Sequence, residues 1–483
     1  MNATQDQPHI FFLPFLAPGH MIPSMDMVRL FATRGLKTTI VTTPANLHYF
    51  AKAIEINTQS SSIKIDLLTI KFPSEEVGLP KGCENFDCVT TPEMFHKFLK
   101  AVDLLQQPFT NLMEKYHPTC LVADIFFHWA NSVASKFEVP RLGFHGSNYF
   151  SRCIVYNLLQ HELHKKLSSD SETFVVPGYL PHEVMLTNSE LAPYDKKQGS
   201  IFLLELMDKI REGVRECYGV IMNSFFELES AYIDYYENVM GMKQWHIGPF
   251  SLYFNNEGEH DAVNNRGKNS SIDVSECRRW LDEKEVNSVI YVCFGSVSNV
   301  SNAQLHEIAI ALEDLGQNFI LVVKEDTKEW IADRFERKTK GRGLIIRGWA
   351  PQKMILNHSS VGGFVTHCGW NSILEGVITG VPMVTWPLHA EQFYNEKLVT
   401  DVLRIGIQVG SKRFVPRVGN HNIIIGNKEL LKAMKSVMID EIAQDMRNRV
   451  QKLKEMARKT ISEGGSSYSQ LTALITEIKS FKS

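Results

Sequence analysis

The chain has 483 residues, 44% of them hydrophobic and 22% charged, the make-up of a globular protein long enough for two domains with a core each. Lys and Arg total 51 against 54 Asp and Glu, a net charge of -3 with no long basic run, which argues against a nucleic acid or an acidic membrane face as partner. No apolar run approaches the roughly 20 residues of a membrane-spanning helix.

From the N-terminus, HIFFLPFL (9–16) reads as a first strand. No Lys or Arg precedes it, and Pro14 and Pro18 interrupt the apolar run, so it makes a poor signal peptide. SMDMVRLFATRG has helical spacing closing on Gly35, and KTTIVTT is β-branched, giving strand, helix, strand over 9–43. TCLVAD and VPRLGFHG are short buried strands with the helix WANSVASKF between them, and YGVIMNS and WHIGPF continue the alternation to about residue 250. The stretch SLYFNNEGEHDAVNNRGKNSSIDVSE is polar and rich in Asn, Gly and Ser, as a linker is.

Alternation then restarts with NSVIYVCFGS, the helix NAQLHEIAIALEDLG, NFILVVK, GLIIRGWAP, VGGFVTH, a helix and VPMVTWP. From residue 427 the pattern is helical, ending in the amphipathic YSQLTALITEIKS. Strands alternating with helices predict a doubly wound parallel sheet, here made twice. The fold class expected is α/β, with two Rossmann-like domains at 1–250 and 276–465, a linker at 251–275, and a terminal helix 466–483 packing back on the first domain. The eight cysteines (83, 88, 120, 153, 217, 277, 293, 368) show no CxxC pair and no zinc spacing, so free buried thiols in a reducing compartment are expected. The Asn-x-Ser/Thr matches at Asn2, Asn269, Asn299 and Asn357 are then chance, and the protein is expected to be cytoplasmic.

Ligands of open parallel sheets bind beyond the carboxyl ends of the strands, and helix starts suit phosphate through unpaired N–H groups and a partial positive charge. GGFVTH puts His367 at a strand end, and CGWNS is the turn into a helix. Gly369 permits close backbone approach, Asn371 and Ser372 can donate hydrogen bonds, and His367 adds a donor or a charge. The stretch asks for a diphosphate; the plain alternative is that Asn371 or Ser372 only caps the helix. Context favours the ligand. At another strand end Trp349 offers a flat face for a base and Gln352 a hydrogen-bonding side chain, Glu375 can accept ribose hydroxyls, and Glu391 and Gln392 sit on the same rim. These are the parts of a nucleotide-sugar site.

Residues Trp349 to Gln392, WAPQKMILNHSSVGGFVTHCGWNSILEGVITGVPMVTWPLHAEQ, resemble the signature box of plant secondary-product glycosyltransferases, the family 1 UDP-glycosyltransferases. FLAPGHMIP, VPGYLPHE, GVIMNSFFELE and YVCFGS extend the likeness over the whole chain. The resemblance implies a GT-B fold, with an N-terminal acceptor-binding domain facing a C-terminal UDP-sugar-binding domain across a cleft. It further implies no metal and no cofactor beyond the co-substrate UDP-glucose, and transfer with inversion to a β-glycoside. It assigns Trp349 and the Ala350 backbone to uracil, Gln352 and Glu375 to ribose, and His367, Asn371, Ser372 and Ser296 to the phosphates. Trp370, Glu391 and Gln392 would face the sugar, with glutamine at the last position going mostly with glucose. Ile373 and His389 depart from the usual residues, and His389 lies where the acceptor lining is expected.

His20 in APGH holds the place in the first half that His367 holds in the second. A histidine whose tautomer is fixed and whose cation is stabilised is a suitable base at neutral pH. Asp124, ending TCLVAD, is the carboxylate in the right kind of place, unless it is only a strand-end cap. The family resemblance gives matching residues this role as a dyad. Phe126 is a candidate for lining a flat acceptor pocket, although the aromatic clusters around it read mainly as core.

The expected activity is transfer of glucose to a hydroxyl of a small lipophilic plant metabolite, a phenolic ahead of a triterpenoid or steroid, by a monomer. A non-catalytic sugar-nucleotide-binding module would keep the box and lose the base. A serine hydrolase would need a GxSxG elbow, which is missing.

Overall fold

Strands covered by helices on both faces should be apolar throughout rather than alternating. HIFFL, CLVAD and VIYVC are buried at every position. The computed structural model describes residues 7–51, 54, 64–254, 270–295, 300–325, 332–416 and 423–481. In the first half lie β1 (His9–Leu13), β2 (Lys37–Thr42), β3 (Ile65–Thr69), β4 (Cys120–Asp124) and β5 (Arg141–His145). They are followed by β6 (Thr173–Val175), β7 (Met185–Thr187), β8 (Gly219–Met222) and β9 (Gln244–His246). The second half holds β10 (Val289–Cys293), β11 (Asn318–Val323), β12 (Gly343–Arg347), β13 (Val361–Thr366), β14 (Met383–Thr385) and β15 (Gly406–Gln408).

Two parallel sheets result, ordered β3-β2-β1-β4-β5-β8-β9 and β12-β11-β10-β13-β14-β15. In each, the first strand of the half sits between the second and the fourth, so the winding direction reverses beside it. That reversal leaves a crevice at the strand ends where ligands bind in doubly wound folds. In the first sheet it lies between β1 and β4, paired from Ile10↔Cys120 to Leu13↔Ala123. In the second it lies between β10 and β13.

The chain divides into two compact units, 1–149 with 197–267 and 459–483, and 150–196 with 268–458. The segment 150–196, expected in the first domain, thus belongs to the second unit. Its anchors are specific: the Tyr394 hydroxyl donates to Asp195 Oδ2 at 3.0 Å, Phe414 N to Ser189 O at 2.8 Å, and Lys412 lies 3.7 Å from buried Glu190. Of the linker 251–275, residues 255–269 lie outside the described residues. The helix Ser466–Ser480 sends Leu471, Leu474, Ile475 and Ile478 into the core of the first unit, and its Ser467 hydroxyl donates to Gly248 O at 2.6 Å.

Cys83 and Cys88 form a disulfide, with Cα atoms 5.8 Å apart. This corrects the expectation of free thiols at these two positions: five residues apart on one loop, they meet without any CxxC spacing. The other six cysteines are not in disulfides, and all but Cys217 are buried.

Candidate active site

Pro18 occupies the first turn of the helix Pro18–Thr33, where its fixed φ suits the helix and its missing N–H costs nothing. The helix therefore starts six residues before the apolar periodicity that begins at Ser24, and His20 lies in its first turn rather than ahead of it. His20 Nδ1 is 2.7 Å from Asp124 Oδ2, with the carboxylate fully buried and the imidazole side chain 23% exposed. An ionised carboxylate only accepts, so Nδ1 carries the proton and Nε2 keeps its lone pair. Asp124 Oδ1 takes the Phe126 N–H at 3.1 Å, which fixes the carboxylate from its other side. Behind it the buried Arg141 donates to the Asp124 carbonyl at 3.4 Å. Phe15 and Phe126 meet the imidazole edge-on at 5.4 and 5.6 Å, and a Cβ on Gly146 would come within 3.1 Å of it. The ring is held on three sides.

The second crevice is built around a different histidine. His367 follows β13 and is buried, and its Nδ1 has no hydrogen-bond partner. Burial, with nearby His389 second, holds its pKa down at about 3, so the imidazole is neutral. The charge that the sequence allowed it is not available, because the ring has been taken out of water. Gly295 at φ +74 and Gly369 make room for the ring, for a Cβ on either would stand 2.6 Å from it. The helix Trp370–Thr379 begins at Gly369, which has no side chain to cap it, so the N-cap position belongs to neither Asn371 nor Ser372. The first turn of a helix started by a glycine is the kind of place where backbone N–H groups meet an anion.

Trp349 lies beyond β12, half-exposed, its loop pinned by Ser271: Trp349 N donates to Ser271 Oγ and Ser271 N to Trp349 O, both at 2.8 Å. Gly348 at φ +112 lets Ser271 in, since a Cβ there would lie 2.2 Å from its hydroxyl. Gln352 accepts from the Tyr291 hydroxyl at 3.2 Å and donates to Ser372 Oγ at 3.2 Å and Glu375 Oε2 at 2.7 Å. This ties the two residues expected at the ribose into one unit. On the rim, Gln392 Oε1 takes the N–H groups of Leu388 and His389, each at 3.0 Å. Two backbone donors settle which end of that amide is oxygen; the Gln392 side chain is buried, and Glu391 beside it is partly exposed.

Residues 20–447 match the family described as UDP-glucoronosyl and UDP-glucosyl transferase. The chain belongs to this family. It is 49% identical over 484 residues to an anthocyanin 3'-O-beta-glucosyltransferase of Gentiana triflora, covering 99% of each chain. It is 48% identical over 479 residues to a scopoletin glucosyltransferase of Nicotiana tabacum, again covering 99% of each. Among solved structures, Glycyrrhiza uralensis UGT73P12 complexed with glycyrrhetinic acid 3-O-monoglucuronide matches with a TM-score of 0.91 and 38% identity, covering 98% of this chain and 96% of that one. The protein is a UDP-glycosyltransferase of the GT-B fold.

Within this UDP-glycosyltransferase the Trp370 indole, singled out from sequence, is buried, 2% exposed. The Ala350 carbonyl accepts from Gln352 N at 2.8 Å in the local turn. Ser296 lies outside the described residues. Sequence reading passed over Gly146, Gly295 and Ser271. The glycines could have been found as βα-turn residues beside a site histidine; Ser271 carried no signal, sitting in what read as linker.

Proposed function

We propose that this enzyme transfers glucose from UDP-glucose to a hydroxyl of a small lipophilic plant metabolite, a phenolic of flavonoid or phenylpropanoid type, with inversion. The observation that carries the reading is the 2.7 Å His20–Asp124 pair, which orients Nδ1 toward the carboxylate on a ring still partly exposed. His20 Nε2 takes the acceptor proton as the acceptor oxygen bonds to the anomeric carbon. The bond from that carbon to the diphosphate breaks, and UDP leaves with the electron pair. Asp124 stabilises the imidazolium, while the helix start at Gly369 and the neutral His367 meet the phosphate charge. Gln392 and Glu391 read the sugar hydroxyls, and Trp349, Gln352 and Glu375 the nucleoside. A non-catalytic binding module would have no use for an oriented base.

The donor and acceptor classes follow the anthocyanin and scopoletin enzymes named above. A triterpenoid acceptor is the second reading, favoured by the glycyrrhetinic acid glucuronide held by the Glycyrrhiza relative. Among the described residues no helix is long and apolar enough to cross a membrane, and no group of three or more His, Cys, Asp or Glu is gathered for a metal. We take the enzyme to act in the cytoplasm as a monomer, without a metal. The test is UDP-glucose with a panel of phenolic and triterpenoid acceptors in EDTA, read by mass. Phenolics should gain one hexose at undiminished rate. Turnover lost in chelator and restored by Mn²⁺ would overturn the phosphate reading, and labelling of triterpenoids alone the phenolic one.

A further inference from the structure

The short helix Gln392–Lys397 carries an amide that touches both ends of the donor site. Asn395 is fully buried, and its Nδ2 donates to the carbonyl of Cys368 at 2.9 Å and lies 3.5 Å from Glu391 Oε1. Two acceptors on one nitrogen match its two hydrogens. Gln392 and Glu396, also buried on this helix, make different contacts: Gln392 Oε1 accepts the Leu388 and His389 N–H groups, and Glu396 Oε2 takes the Thr385 hydroxyl at 2.8 Å.

Cys368 is a non-glycine residue at φ +65, a conformation that costs of order 1 kcal/mol or more and persists only where neighbours fix it. Asn395 supplies that fixing by taking the Cys368 carbonyl into the protein. In a planar trans peptide the C=O and the following N–H point opposite ways. Holding the Cys368 carbonyl therefore aims the Gly369 N–H away from the Gln392–Lys397 helix, at the start of the uncapped helix. The second, longer contact steers Glu391 one helical turn earlier.

We propose that Asn395 is a positioning residue that joins the phosphate-side turn to the sugar-side carboxylate, so that choice among donor sugars depends on an amide meeting no sugar. This rests on the reading of Glu391 as sugar-facing. The test is a double-mutant cycle of Asn395→Ala and Glu391→Ala, with Asn395→Ser as a second variant too short to span both contacts. UDP-glucose binding is followed by calorimetry, and kcat/KM is measured with UDP-glucose and UDP-galactose. Loss of one neutral hydrogen bond is worth a few-fold to about tenfold. Asn395→Ala should therefore weaken UDP-glucose by about threefold to tenfold and narrow the glucose-to-galactose ratio by a similar factor. In the Glu391→Ala background the same change should still weaken binding but narrow the ratio no further.

A ratio unmoved by Asn395→Ala, or narrowed equally in both backgrounds, overturns the inference and leaves the sugar reading standing. A ratio unmoved by Glu391→Ala overturns both. Failure of Asn395→Ala and Asn395→Ser alike to fold would make the amide structural and also overturn it.

Discussion

His20 follows β1, which matches β10, whereas His367 follows β13, which matches β4 on the other flank of the reversal. The two therefore do not hold the same place in the two halves, contrary to the reading from sequence, and their surroundings give them opposite properties. His20 has a buried carboxylate at 2.7 Å and a side chain 23% exposed. His367 is buried with no partner on Nδ1, and desolvation holds it at about 3. The first arrangement sets a carboxylate against the ring, where it can meet a positive charge; the second keeps the ring neutral at ordinary pH. Topology chooses where a histidine can act; the neighbours choose whether it moves protons or only donates a hydrogen bond.

The strongest way to break this contrast is His20→Ala. General base catalysis is typically worth about 10²–10⁴-fold, so kcat should fall by that order while calorimetry shows UDP-glucose binding unchanged. Near-normal rates on a weakly acidic alcohol would remove His20 from the role. Asp124→Asn should lose about 10²-fold, since an amide orients the ring but stabilises its cation poorly. The loss should be smaller for acidic phenols, which a comparison of acceptors of graded acidity would show.

His367→Asn should act on binding instead. A hydrogen bond to a charged group is worth about 1.5–3 kcal/mol, so UDP-glucose affinity should fall by about tenfold to a hundredfold. Because His367 is neutral, wild-type affinity for this diester should show no step near pH 6.5; a step absent from His367→Asn would reverse the assignment. Stability carries the same sign. The folded chain binds fewer protons at His367 than the unfolded chain between pH 6.5 and about 3, so its contribution is present at neutral pH and lost as pH falls through that window. That part of the acid sensitivity, read as the fall in Tm on lowering the pH below about 6.5, should vanish in His367→Asn.

The smallest effect expected is from Gly146→Ala. Its Cβ would press on the His20 ring from 3.1 Å, lowering kcat by about threefold with unchanged donor affinity, an estimate on the scale of a weakened hydrogen bond. Gly295→Ala, at positive φ and 2.6 Å from His367, should instead lower donor affinity in the same calorimetry.

The alternation of apolar strands and helices was enough to read both sheets, because burial on two faces writes itself as continuous apolar runs. Trp349, Gln352, Glu375 and His367 drew notice because ligand chemistry asks for particular side chains at strand ends. The burial of Trp370 was not legible, since an indole beside a strand end reads alike whether it lines a ligand or the core. The neutral state of His367 depends on the surroundings closing over it, and Ser271 on a contact far along the chain; neither is written locally. The placement of 150–196 with the second unit likewise follows from distant partners such as Tyr394.

That interleaving bears on how the molecule is made. The core of the first unit contains Leu471, Leu474 and Ile478, so it is incomplete until these residues, far along the chain from its strands, have left the ribosome. The second unit waits in turn for residues that follow 150–196 by more than a hundred positions. The first unit cannot finish before the second is synthesised, as the leading one of two consecutive domains commonly does. A chimera joined within 255–269 would also bring segment 150–196 from one parent and the rest of its unit from the other.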